Sequence, residues 1–550
     1  MVKAEQKLMD ILTGAGAPFE LIDIEVNGRP MRGLRRAEMS LASLFSNLRL
    51  HADKTYIVDK DHRLTFAEVE AAASRLVKTL GSMGVRPGDR VAIAGANSAS
   101  WMIGFIAAVA CEAIPALVNS RGTVEDMTAA IQLVEARLVI ADERRAAMLA
   151  NCGVPCLVPM LDYSPGAPPL PCPDANPDAP AMILFTSGTT GRAKGATLSH
   201  RAALTGLLLS QMAGAMIALK MLGPAALAAP RPQSVNLLAF PLFHVSGCHS
   251  IFLVGLAAGG KVVVPERWNA PDILRLIERE KVSGFSGSPT MVWDLIQARE
   301  SVDADLSSLV SVSTGGQAQP VNLLQAVVDT FPNSVVGTGY GATETAGAIA
   351  MHTGADYLAH PRAAGMVLPL SDVCIRDATG RALGAGEPGE ITVRGPMVMS
   401  GYWNDPVATM RAIEDGWLRT GDVGVLDGEG RLTILDRLTD MVISGGENIY
   451  CAEVEAALQR HAGVAEAAAY GVPDDRLGER LVAVVCGHGG AWIDMAQLDA
   501  HVCEVLADYK RPTEILFRND GLPRNALGKV NKRALRAAHK TEESGTYAPA

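Results

Sequence analysis

From position 90 the chain alternates short apolar runs with longer amphipathic or apolar stretches. RVAIAGANSASWMIGFIAAVACEAIPALVN reads as a β-rich run, a polar turn in which Ser98 can cap a helix, an apolar helix and a second apolar run, which is a βαβ unit. The alternation recurs at 235–264 and 282–312, predicting parallel sheets with helices packed on their faces. Residues 164–180, SPGAPPLPCPDANPDAP, are dense in proline and predict an extended surface connection leading into a strand. After about Gly365 the texture changes to short β segments between Gly and Pro, as in GEPGEITVRGP, predicting a small antiparallel or β-barrel-like unit. Two β segments at 423–435 flank Asp427-Gly428-Glu429-Gly430, where glycine can supply the positive φ of a tight hairpin. Beyond them, helical stretches at 452–461 and 495–506 and β-rich runs at 464–470, 481–486 and 513–517 predict a small α+β domain. The whole is an α/β fold. It has a large N-terminal domain of parallel-rich sheets, the barrel-like unit, and a small C-terminal domain.

A chain of 550 residues is too long for one core of usual size, so several folding units are expected in any case. The net charge of −10 and pI near 5.6 provide no basic field, so nucleic acid is not expected as a partner. An anionic small molecule remains compatible, because a phosphate pocket needs only local donors and a few cations. Nine scattered cysteines predict reduced core residues rather than a disulfide framework, and no second pair at ligand spacing joins Cys152 and Cys156 in a zinc site. The opening MVKAEQKLMD has no signal-peptide pattern, and a cytoplasmic location is expected. The most membrane-like run, 202–229, is interrupted by Gln211, Lys220 and Pro224 and predicts a buried helix rather than an integral membrane segment. Peripheral membrane contact and a homodimer are left open.

The strongest local signal is FTSGTTGRAKG at 185–195. Gly188, Gly191 and Gly195 let backbone amides approach oxygen. Hydroxyls of Thr186, Ser187, Thr189 and Thr190 add donors and Lys194 adds a cation, which together suit a polyphosphate. It is not a Walker loop, since Lys194 precedes Gly195 and another β-like run rather than Ser or Thr opening a helix. A second cluster, GYGATET at 339–345, offers Glu344 for Mg²⁺, Thr343 for phosphate and Tyr340 for stacking on a purine. Taken alone, a loop Glu is more often a solvated charge.

These two runs, Thr420-Gly421-Asp422, DRLTDMVISGGENIY at 436–450 and PRNALGKV at 523–530 occur in an order and spacing that resemble the adenylate-forming superfamily. That superfamily includes acyl-CoA synthetases, peptide-synthetase adenylation domains and firefly luciferase. The resemblance spans nearly the whole chain. It implies an AMP-forming acid–thiol ligase that uses ATP, Mg²⁺ and coenzyme A on a small-molecule carboxylic acid. It implies ribose recognition by Asp422 with Arg437 beside it, an adenine-side backbone at Gly316 and Gln317, and metal binding by Glu344 and Thr186. Lys529 is implied as the cation between phosphate and the attacking carboxylate, with Thr343 and His244 at the reacting groups. The STGGQAQP run departs from the family's usual Gly-Gly-Ala-Pro there. Residues 1–436 are then the AMP-binding domain, 437–439 a hinge, and 440–550 a mobile lid. Thr439 stands where relatives usually carry Lys or Asp. In a second orientation of the lid, Gly445 and Gly446 leave room for a thin pantetheine arm.

FPLFHVSG at 240–247 resembles the turn that meets the substrate carboxylate. His244 cannot supply the fixed negative charge that holds an amino group, so an amino acid is disfavoured. The implied acyl pocket, from Val245, Gly247, 288–292, 337–341 and 347–351, is mostly small or apolar. That favours a medium- or long-chain fatty acid or another hydrophobic acid over a dicarboxylate. The competing expectations are a ligase that loads a carrier protein, a luciferase-like oxygenase and a catalytically silent nucleotide- or lipid-binding scaffold. Glu344 and Lys529 together speak against the last.

Overall fold

The computed structural model describes residues 10–187, 193–223, 232–315, 323–445, 447–524 and 529–544. Strands among these residues form sheets of two, seven, fourteen and five strands. In the seven-stranded sheet, Arg90–Ala94 lies between parallel neighbours Ile114–Leu117 and Leu138–Ala141. Ile114–Leu117 pairs in turn with Pro180–Ser187, which turns back antiparallel into Ala193–Ser199. The Ser98 hydroxyl accepts the Trp101 amide at 3.2 Å and opens helix Ala99–Ala110. That helix is buried on nearly every face, as expected of one held between two layers. The apolar run at 202–229 begins as the helix His200–Leu222, capped by Ser199 and packed in the same core. No helix among the described residues is long and apolar enough to cross a membrane.

The large sheet has a parallel centre, Thr55–Asp59, Lys261–Val264, Val235–Leu237, Gly284–Gly287, Ser311–Gly315 and Val335–Ala342. Gly347–Thr353, Gly365–Val367, Arg431–Arg437, Trp417–Leu426, Gly389–Arg394 and Asp372–Arg376 continue it antiparallel. The unit read as barrel-like is therefore an antiparallel extension of the large sheet, open among the described strands. Strand Gly365–Val367 ties it to the parallel centre through Gly347–Thr353. The hairpin at Asp427–Gly430 has Gly430 at φ 83°, and Asp427 Oδ1 accepts the amides of Glu429 and Arg431.

After Arg437 a five-stranded sheet begins, with Val464–Asp474 and Gly478–Gly487 as its long antiparallel pair. Helices Cys451–Gln459, Met495–Val505 and Lys532–Ser544 accompany it, and it has apolar clusters of its own around Val454 and Tyr470. All nine cysteines are free.

Candidate active site

Strand Pro180–Ser187 leads into the candidate phosphate run and strand Ala193–Ser199, which follows it, pairs antiparallel with the first, Thr186 opposite Lys194. A strand rather than a helix therefore follows Lys194. Gly188, Thr189, Thr190 and Gly191 lie outside the described residues, as do the Ser187 side chain, Gly316, Gln317 and Gly446. The Lys194 ammonium stands 5.0 Å from the centre of the Tyr402 ring, a cation–π distance.

The second cluster is a strand end turned sharply back. Val335–Ala342 bulges between Tyr340 and Gly341, Thr343–Thr345 makes one 3₁₀ turn, and Ala346 is left-handed at φ 52°. The Thr345 hydroxyl accepts the Ala342 amide at 2.9 Å and lies 2.8 Å from the Gly347 carbonyl. Gly341 is required here, because a Cβ would stand 2.0 Å from the Gly347 oxygen. The turn presents Glu344, whose Oε1 accepts the Tyr402 hydroxyl at 2.9 Å.

Across from it, Asp422 pairs in register with Arg437 on the neighbouring strand. Asp422 is buried. Its Oδ1 meets Arg437 Nε at 2.7 Å and its Oδ2 accepts the Tyr340 hydroxyl at 2.6 Å. Tyr340, assigned above only to stacking, is thus also a donor to the Asp422 carboxylate. Burial, and then the Asp422 charge, pushes its phenol above the usual range. Lys529 arrives from the C-terminal unit and lies within electrostatic reach of Arg437 and Asp422. Burial first, then the Arg437 charge, lowers its pKa, and Asp422 opposes the shift.

His244 ends the turn after strand Val235–Leu237. The Asn97 amide donates to the Phe240 carbonyl at 2.9 Å, and Asn97 Oδ1 accepts the Leu242 amide at 2.8 Å. These bonds fix the turn from the end of the seven-stranded sheet. The chain then enters Val245–Gly247 and a π-helical stretch, Cys248–Leu253. Burial, with Lys529 and Arg121 adding to it, pushes the His244 ring down to about 4, so it is neutral near pH 7. Of the pocket candidates, Val245 lies near Gly347, where an added Cβ would stand 4.0 Å from Val245 Cγ2. A Cβ on Gly339 would stand 3.7 Å from Ala348 Cβ and Met351 Cγ. Val292 instead packs into the core with Phe285 and Leu295.

The structure thus joins Glu344 to Lys194 through Tyr402, and Tyr340 to Arg437 through Asp422, with Lys529 in electrostatic reach of Asp422, Arg437 and His244. Thr343 precedes Glu344 in its turn and Thr186 lies opposite Lys194 in the strand pair. Gly445 stands in the turn after Val442–Ser444, where its amide donates to the Leu477 carbonyl of its own unit. Three neighbours are absent from the sequence reading: Tyr402, Arg121 and Asn97. Asn97 carried one usable signal, its position just beyond the carboxyl end of a parallel strand, where such sheets bind ligands. The donor set suits Mg²⁺, which is held by one or two carboxylates plus substrate phosphates. Glu344 and the Thr186 hydroxyl are hard oxygen donors, and no cluster of three His, Cys, Asp or Glu able to cage a metal occurs among the described residues.

The family model for AMP-binding enzymes matches residues 44–403, and that for the AMP-binding enzyme C-terminal domain matches 453–529. A feruloyl-CoA synthase from Amycolatopsis is 35% identical over 478 residues, covering 86% of this chain and 93% of its own. The 3-[(3aS,4S,7aS)-7a-methyl-1,5-dioxo-octahydro-1H-inden-4-yl]propanoyl:CoA ligase of Mycobacterium tuberculosis is 35% identical over 519 residues, covering 90% and 98%. Among solved structures, the o-succinylbenzoate coenzyme A synthetase of Bacillus subtilis, in complex with ATP and a magnesium ion, superposes with a TM-score of 0.77. It is 30% identical and the match covers 88% of this chain and 97% of that one. The chain belongs to the AMP-binding enzyme family and is an AMP-forming acid–coenzyme A ligase, of the class that uses ATP, Mg²⁺ and coenzyme A.

Proposed function

We propose that the enzyme activates a hydrophobic, ring-bearing carboxylic acid as its acyl-adenylate at the cleft between Glu344, Asp422 and His244, and then transfers the acyl group to coenzyme A. The observation that carries this reading is that Lys529, from the C-terminal unit, lies within electrostatic reach of Asp422 and Arg437 on the large sheet and of His244.

Asp422 suits a ribose. A carboxylate offers about four lone-pair positions, and Tyr340 and Arg437 use one on each oxygen. One acceptor site per oxygen is left for the two vicinal hydroxyls. The hairpin at Thr186 and Lys194 receives the phosphates, and Glu344 and Thr186 hold Mg²⁺, which neutralises phosphate charge when bound. Lys529 then stands where the acid's carboxylate attacks the α-phosphorus and negative charge accumulates, with pyrophosphate leaving. A neutral His244 adds no charge to that encounter and shapes the approach of the acid. In the second step the coenzyme A thiol attacks the acyl carbon and AMP leaves.

The residues assigned to the acid side, Val245, Gly339, Gly347, Ala348 and Met351, are small or apolar and offer no charge to a second carboxylate. Both relatives named above are, by name, ligases of ring-bearing acids, which favours that class over a straight fatty acid. For the lid, we take 437–439 as the hinge between 1–436 and 440–550. In support, Arg536 of the last helix donates to the Thr439 carbonyl at 3.4 Å and pairs with Asp440 at 3.6 Å.

The test is pyrophosphate release over aryl-substituted, polycyclic and straight-chain acids of graded length, with and without coenzyme A. Release that depends on a ring-bearing acid, with thioester formed only when coenzyme A is added, is expected. Release with no dependence on any acid contradicts the assignment.

A further inference from the structure

We propose that Tyr402 is a positioning residue for the metal site, holding the Glu344 carboxylate and the Lys194 ammonium at a fixed spacing across the gap between the two large sheets. This rests on Glu344 and Lys194 serving Mg²⁺ and phosphate as set out above.

Tyr402 sits on the two-residue strand Gly401–Tyr402, paired antiparallel with Ala196 and Thr197 at the edge of the seven-stranded sheet. It therefore belongs to the sheet that carries the phosphate hairpin. Its hydroxyl crosses to the other sheet and donates to Glu344 Oε1 at 2.9 Å, while its ring lies under Lys194 Nζ at 5.0 Å. The backbone under it is pinned. The Tyr402 amide donates to Thr409 Oγ1 at 2.8 Å, and the Trp403 amide donates to the Gly195 carbonyl at 2.7 Å. A Cβ on Gly401, which sits at φ 149°, would stand 2.7 Å from Thr409 Cγ2, so glycine is what fits beside Thr409. Glu344 is anchored at its own carbonyl by the Met399 amide at 2.8 Å, three residues before Tyr402 in the same segment.

One side chain thus touches a cation from the phosphate hairpin and an anion from the metal-facing turn. A carboxylate whose one oxygen is held by a fixed donor presents the other oxygen in one direction. Partners of this kind govern metal affinity without touching the metal.

The variant is Tyr402→Phe, which keeps the ring under Lys194 and removes only the hydroxyl. Two readouts are needed: the Mg²⁺ concentration for half-maximal acid-dependent pyrophosphate release, and binding of Mn²⁺ with ATP followed by electron paramagnetic resonance. Both should weaken on the order of tenfold. The KM for the acid should move by less than about twofold, since uniform substrate binding is untouched. In a Glu344→Gln background, itself weakened, Tyr402→Phe should add nothing further to the Mn²⁺ titration. An unchanged metal requirement, an equal fall in turnover at every Mg²⁺ level, or a full additive effect in the Glu344→Gln background overturns the proposal. If Tyr402→Phe does not fold, Tyr402→Leu, which also lacks the donor, is used with the same titration and the same outcomes. Should the wild type release no pyrophosphate in response to acids, the functional assignment fails, while the Mn²⁺–ATP titration still decides the role of Tyr402.

Discussion

At the scale of single residues the site is organised around Asp422, which joins an arginine on the adjacent strand to a tyrosine 82 positions earlier. Replacing it with Asn keeps the shape but removes the charge that Arg437 and the ribose hydroxyls meet. Hydrogen bonds to a charged acceptor contribute about 1.5–3 kcal/mol each, so Asp422→Asn should raise the KM for ATP by about tenfold or more. Steady-state kinetics with ATP varied at saturating acid would show it, and an unchanged KM would separate Asp422 from the nucleotide. Asp422, Arg437, Glu344 and Lys529 are named from the sequence because each lies inside a short run that resembles a motif of the adenylate-forming superfamily. Tyr402 is not: it has no periodic neighbours, and its partner Glu344 is 58 residues away. Arg121 and Asn97 were missed on the same grounds, since only the closing of two sheets brings Asn97 to the Phe240 turn.

At the scale of elements, the turn carrying Glu344 is built against the long helix His200–Leu222. Gly206 of that helix lies so close to the turn that a Cβ would stand 2.2 Å from the Ala346 carbonyl oxygen. Both groups are backbone, so neither can rotate away. Gly206→Ala should therefore destabilise the fold by about 1–3 kcal/mol, the usual range for overpacking, and weaken Mg²⁺–ATP binding with it. Urea unfolding and nucleotide titration of one preparation would test both halves, and wild-type values in both would contradict the contact. The elements themselves were readable. Ser98 and Ser199 cap the helices that follow them, and the helices at Cys451–Gln459 and Met495–Val505 fall within a few residues of the apolar periods. What periodicity could not supply was the pairing. Thr55–Asp59 joins Lys261–Val264 from 200 residues away, and the strands after Gly365 lengthen the large sheet. Neither fact leaves a local mark on the sequence.

At the scale of the molecule, burial makes the protein sensitive to acid. His249 is 1% exposed, neither ring nitrogen has a hydrogen-bond partner among the described residues, and burial pushes its pKa from 6.5 down to about 4. Between those values the unfolded chain binds a proton that the folded chain refuses. Stability is therefore full above pH 6.5 and falls as the pH drops toward 4, by about 2 kcal/mol for this group between pH 7 and 5. His200 and His244, lowered to about 4 by burial as well, act in the same direction. Urea midpoints at pH 7 and pH 5 should differ more in the wild type than in His249→Gln, and equal differences would remove His249 from the effect.

The whole molecule also decides the chemistry, because the cation assigned to the first step comes from the C-terminal unit, more than ninety residues beyond the strand that carries Arg437. Lys529→Ala should slow acyl-adenylate formation by on the order of a hundredfold or more, the scale for removing a group that stabilises developing charge. Thioester formation from supplied acyl-adenylate should lose far less. Measuring the two half-reactions separately on wild type and Lys529→Ala tests the central claim most directly. A large loss confined to the first step is the expected result, and equal losses in both would contradict the placement of Lys529 at the phosphate.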